Sequence, residues 1–215
     1  NNKLFYTVIK MAHQKILNGR EPLSLTRFRR PCRTLKVAAT SFFLFLATTG
    51  PAPALEIDEK LIDAAFNGKV EAARSLIDQG ADVNAVDAAG NPVLLTATRS
   101  YNAEMVQLLV DSGAAVDTPG ALGDTPLLVA ARTGLTDIVR ILLEADADPN
   151  YTRSDGGTAL MEACIFGHAE IVTLLVESGA DTNAEDRFGF TPLAVAQKNQ
   201  RTKIAAYLKQ QGAEE

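Results

Sequence analysis

The sequence predicts an all-α repeat fold, a solenoid of stacked helix-turn-helix units with protruding β-turn or hairpin tips. Two observations predict the fold and a third divides the chain. First, residue identity recurs every 33 positions. Gly80, Gly113, Gly179 and Gly212 share one grid, with Asp146 in the missing slot. Leu61, Leu94, Leu127, Leu160 and Leu193 share a second, and Ala64, Ala97, Ala130, Ala163 and Ala196 a third. Gly90, Gly123, Gly156 and Gly189 form a fourth. Positions holding one register over five units mark an internal repeat. Second, apolar residues within a unit follow helical spacing, as in Ile138, Val139, Leu142 and Leu143. Third, residues 1–54 hold nine Lys and Arg and one acid, a net +8, whereas residues 55–215 hold 12 and 25, a net −13. A basic head on an acidic body suggests a targeting segment before a soluble domain.

The head comes first. Arg27, Arg29, Arg30, Arg33 and Lys36 precede an uncharged apolar segment, residues 37–50, and then the small-residue run Ala52-Pro53-Ala54. That order is the layout of a secretory signal, with cleavage expected after Ala54. The apolar segment is shorter than the roughly 20 residues a membrane-crossing helix needs. An uncleaved anchor and an organelle transit peptide are the alternatives. Residues 1–10 precede Met11 and need not belong to the natural product. Periplasmic or secreted localisation follows from a cleaved signal, and membrane contact only from an uncleaved one. Cys32 would leave with the leader, so Cys164 would have no partner for a disulfide.

The domain, residues 55–215, divides into units of about 57–90, 91–123, 124–156, 157–189 and 190–215. The first places Glu59-Lys60 where inner units carry Thr-Pro, as the solvent face of a capping unit should. The second has Pro92 in the Thr slot and should lose that helix cap. The third opens on Thr125-Pro126-Leu127. There the hydroxyl can cap a helix, and Pro fits the first turn because its missing N–H would be unpaired anyway. Gly134 should end that helix, and a second helix follows. Its Gly slot holds Asp146, which tolerates left-handed backbone less well than Gly. The fifth unit is polar at 198–203 and 209–215, again as a cap. Helices this short are marginal alone and must bury their apolar faces against neighbouring units.

The stretches TPLLVAARTGLTDIVRILLEADADPN and TALMEACIFGHAEIVTLLVESGADTN closely resemble ankyrin repeats, with their T-P-L-H-x-A core. The resemblance covers about residues 59–215. It implies a protein-binding module that uses turn tips and the exposed face of the first helices, and no catalysis of its own. Exported bacterial members resemble accessory factors of oxidative-stress enzymes, or effectors on host proteins.

The body contains few groups for chemistry. Cys164 and His168 lie four apart, but Gly167 falls between them and should break the helix. By register Cys164 occupies a packing slot and His168 the joint between two helices. Two ligands do not make a zinc site, which takes three or four. The segment Asp146–Asn150 begins like a calcium loop, but Tyr151 and Gly157 stand where Gly and Glu are required. No nucleotide-binding or serine-hydrolase motif occurs. No cofactor or metal is expected. An acidic body disfavours nucleic acid. Asn150-Tyr151-Thr152 is a glycosylation sequon, relevant only in a eukaryotic source.

Carried over by register, the contact positions are Phe66, Arg99, Arg132, Ile165 and Lys198, with Ser100, Thr133 and Phe166 one slot on. The turn tips add Leu122, Arg187 and Phe188, with Asp124 and Phe190 beyond their glycines. Three cations and no acid in the first slot, with several aromatic residues nearby, predict a basic and apolar groove. It should receive an acidic and hydrophobic segment of a partner protein. The protein itself is expected to be a monomer.

Overall fold

A computed structural model of the chain describes residues 53–214. The leader expectations fall outside the described residues, apart from Pro53 and Ala54. Among the described residues are ten helices in five consecutive pairs. They are α1 (Pro53–Phe66) with α2 (Val70–Asp78), α3 (Val93–Arg99) with α4 (Ala103–Asp111), and α5 (Pro126–Thr133) with α6 (Thr136–Glu144). Then come α7 (Ala159–Phe166) with α8 (Ala169–Glu177), and α9 (Pro192–Lys198) with α10 (Thr202–Gln210). The first helix of each pair packs on the first helices of its neighbours, and the second on the second, making two layers.

Local chemistry accounts for the boundaries. Thr125, Thr158 and Thr191 each accept a backbone N–H three residues on, at 3.2–3.3 Å. Pro92 makes no such side-chain bond, as the sequence indicates. Its place in the fold is instead held by an isolated antiparallel bridge to Val86. The first unit departs from expectation. Nothing at 58–60 starts a helix anew, so α1 continues back to Pro53, ahead of the expected unit boundary at 57. Gly134 and Gly167 end α5 and α7 in left-handed conformation, at φ 81° and 86°. Tyr101 and Gln200 adopt φ of 60° and 58° in the same slot, and Asp146 a φ of 60° in the later glycine slot.

The core is the repeat itself. The five register leucines are at most 1% exposed and the five register alanines at most 3%. In the outer layer Met105, Ile138, Ile171 and Ile204 occupy one slot and Leu109, Leu142, Leu175 and Leu208 another, all buried. Alanine on the inner helices lets adjacent helices approach closely, while leucine fills the space between layers.

Polar bonds join the units at two levels. Asn84, Asp117, Asn150 and Asn183 each accept the backbone N–H 31 residues later, at 2.7–3.0 Å. Asp58 serves Asp82 in the first unit, where the regular slot would fall at residue 51. At the other level, residues starting the second helices reach back to carbonyls ending the previous unit's first helix. His168 Nε2 lies 3.2 Å from the Arg132 carbonyl, and Arg201 donates to the Ile165 carbonyl. Asn102 makes a related bond off this register, to the carbonyl of Gly68 two residues past the end of α1, at 3.4 Å. The bonds to Arg132 and Ile165 satisfy carbonyls that a helix end leaves without an internal partner.

Candidate functional site

Hairpin-like tips project between the pairs. In each, the residue at Asp87, Gly120, Arg153 or Asp186 donates its N–H to the carbonyl four residues on, at 2.9–3.1 Å. Asp87 and Asp186 also brace their tips by accepting two backbone N–H groups each. Gly156 is needed for more than its φ of 80°. A Cβ there would lie 2.8 Å from the Asp186 Cα, so glycine lets the third and fourth tips press together. The Arg187 N–H donates to the Asp155 carbonyl across that contact, at 2.9 Å.

The structure sorts the register-derived contact residues. Phe66, Leu122, Phe166 and Phe188 are exposed, at 69, 77, 49 and 68%. Arg187 lies over the Phe188 ring, 4.6 Å from its centroid, and Lys198 over Phe190 at 4.4 Å. Phe166 stacks on His168, with ring centroids 6.3 Å apart. Ser100 is half-buried and donates to the Ala65 and Ala97 carbonyls. Thr133 is exposed but donates to the Val129 carbonyl at 2.7 Å. Ile165 and Phe190 do not stand free; both are half-buried against the core.

Two expectations need correction. Asp124 is buried, at 5% exposure, and cannot present itself to a partner. Arg132 is not a free cation: its Nη2 lies 2.8 Å from Asp124 Oδ2, and its Nη1 lies 4.0 Å from Glu162 Oε1. Arg153, which sequence reasoning missed, completes the cluster. It meets Asp124 at 3.1 Å, Glu162 at 3.2 Å and Asp155 at 2.7 Å. Asp124, Arg132, Arg153 and Asp155 come from the third unit; Glu162 comes from the fourth. The predicted basic groove is therefore neutralised at its centre by carboxylates of the same chain. The signal available was Arg153 in a slot otherwise held by Asp87, Gly120 and Asp186, and Glu162 in one otherwise held by Asp63, Thr96, Val129 and Val195.

The cluster sets its own protonation. Burial works to raise the Asp124 carboxyl, but hydrogen bonds from Arg132 and Arg153 outweigh it and hold it below the usual range. The hydrogen bond from Arg153 brings Asp155 down to about 2. Asp155 in turn raises Arg153 above its ordinary value. Glu162 goes the other way. Burial pushes its carboxyl up, and attraction to Arg132 and Arg153 does not fully offset that.

Cys164 is fully buried, and burial pushes its thiol up to about 12, far from a reactive thiolate. Gly167 separates it from His168, whose ring lies against Gly134 of the preceding unit. The pair thus serves packing and helix capping. The Asn150 side chain donates to the Gly179 carbonyl and accepts from Asp181 N–H, so the sequon asparagine is engaged in stacking. Among the described residues no group of three or more His, Cys, Asp or Glu is placed to hold a metal ion. No described helix is long and apolar enough to cross a membrane.

No curated protein matches the chain. A family model described as ankyrin repeats (3 copies) matches residues 61–153 and again 145–215. Ankyrin repeats are generally modules of protein–protein interaction without catalysis. With the 33-residue register, the paired helices and the family match in agreement, the chain belongs to the ankyrin-repeat family.

Proposed function

We propose that this chain is an exported, non-catalytic module that binds a partner protein along its inner-helix face and hairpin tips. One observation carries the reading. Seven large apolar side chains are exposed among the described residues, and Phe66, Leu122, Phe166 and Phe188 among them stand at register-derived contact slots. Exposed aromatic and aliphatic area of this kind favours an interface, because burying it against a partner removes it from water. The basic head and apolar segment 37–50 support export to the periplasm or beyond. A membrane-anchored scaffold is the second reading, favoured by the same apolar segment if it remains attached.

Arg132 is unsuited to a test by charge reversal, because Arg132→Glu would set a carboxylate against Asp124. Phe166→Ala with Phe188→Ala changes exposed side chains only. Crosslinking and capture from the native organism should recover one protein with the natural domain and lose it with this double variant, at unchanged melting temperature. Equal recovery by both would overturn the binding face. Mass spectrometry of the mature N-terminus should find Leu55 first; an intact leader would favour the scaffold.

A further inference from the structure

The interaction reading leaves open what chemistry the partner brings, and a small cavity beside the ion cluster bears on this. It occupies about 190 Å³ between the third and fourth tips and helices α7 and α9. Met161, Ile165, Val195 and Phe188 supply its apolar walls. Its polar lining is Arg153, Asp155, Glu162 and Asp186.

The charges do not balance. Arg153 is already shared among Asp124, Asp155 and Glu162, and Arg132 leans on the same Asp124 and Glu162. Two cations thus answer three carboxylates. Asp186 brings a fourth, and among the described residues its Oδ1 receives the backbone N–H groups of Phe188 and Phe190 and no cation. The neighbouring Arg187 is drawn over the Phe188 ring. Glu162 is 6% exposed, so its charge has little water around it. An additional cation placed here would meet excess negative charge in a partly dry setting, where Coulomb attraction is stronger than in water. The apolar walls suit the methylene stem of a long basic side chain.

Resting on the interaction reading, we infer that this cavity receives an arginine or lysine side chain of the partner, with an adjoining apolar residue against Phe188. The sign is opposite to the acidic segment that the register alone suggests. Glu162 adds a linkage. Its carboxyl is raised by burial above 4.5, and a cation at contact favours the ionised form. Binding should therefore tighten as pH rises through the Glu162 range.

Three peptides test this on the full domain by NMR titration: acetyl-Leu-Arg-Leu-amide, the citrulline peptide of the same shape, and the glutamate peptide. The arginine peptide should shift the amide resonances of Glu162, Asp186 and Phe188 at millimolar concentration. It should bind about tenfold more tightly than the citrulline peptide, as expected for a close charge pair. Glu162→Gln and, separately, Asp186→Asn should each remove most of that preference; the latter keeps the Oδ1 that braces the tip. Equal binding of arginine and citrulline peptides, preference for the glutamate peptide, or no shift at these residues would overturn the inference. The two readings fail separately. A captured partner indifferent to both variants sinks the basic side chain alone, whereas a domain that captures no partner sinks the module.

Discussion

The polar ladder along the stack and the ion cluster on its inner face are both networks between units, but they are built differently. Asn84, Asp117, Asn150 and Asn183 make the same bond four times at one spacing. The cluster of Asp124, Arg132, Arg153, Asp155 and Glu162 occurs once, where the third unit meets the fourth. The ladder uses neutral or exposed groups and backbone N–H, so each rung is modest and independent. The cluster removes charge from water and ties its members together. Repetition therefore marks positions that stack the chain, and departure from repetition marks positions that individualise one face.

The cluster should be the more fragile of the two. Asp124→Ala takes from Arg132 and Arg153 the more closely held of the two carboxylates they share, in a partly buried place. It is expected to cost about 3 kcal/mol in chemical denaturation, the range for breaking a buried pair. The gap should narrow in acid. Asp124 has a depressed carboxyl, so its contribution is present above its unfolded value of 3.8 and is lost as pH falls through its folded value. A loss under about 0.5 kcal/mol at neutral pH would place the cluster with ordinary surface pairs.

A ladder rung should matter less. Asn150→Ala removes two bonds, of 2.7 and 3.0 Å, in an exposed setting. About 1 kcal/mol of stability is expected to go with them. A cost equal to that of Asp124→Ala would erase the distinction between the networks.

The smallest effect should have the opposite sign. Asp146 sits at φ 60° in a slot where Gly80, Gly113 and Gly179 take 87–92°. Asp146→Gly relieves left-handed strain and is expected to stabilise by roughly 0.5–1 kcal/mol. A lower melting temperature would show that Asp146 contributes to stacking in a way its backbone does not reveal.

Much of the fold was legible residue by residue. Thr125, Thr158 and Thr191 cap helices, and Gly134 and Gly167 end them, because capping and left-handed termination are local. The register placed Cys164 in the core on similar grounds: Ala65, Thr98 and Ala131 fill its slot in the first three units, and only the capping fifth unit puts a long polar residue, Gln197, there. What the period did not show was how far α1 runs, since a missing start signal does not say where the helix begins instead. Nor could it show the state of the face. Asp124 looked exposed beside Gly123, and Arg132 looked free, because the period does not show that these two meet across eight residues or that Arg153 and Glu162 close over them.

By itself, then, the sequence determined the repeat, the helix pairs, the glycine and threonine punctuation, and the leucine and alanine core. These follow from periodicity and from interactions within a few residues. Only the tertiary structure decided the electrostatics of the inner face. Arg153 meets Asp124 across 29 residues, and His168 meets the Arg132 carbonyl across 36. Such meetings depend on how one unit seats on the next. A column of basic slots became an ion cluster with carboxylates in excess, beside a carboxylate-lined cavity, because stacking brought acids from two units against the same two arginines.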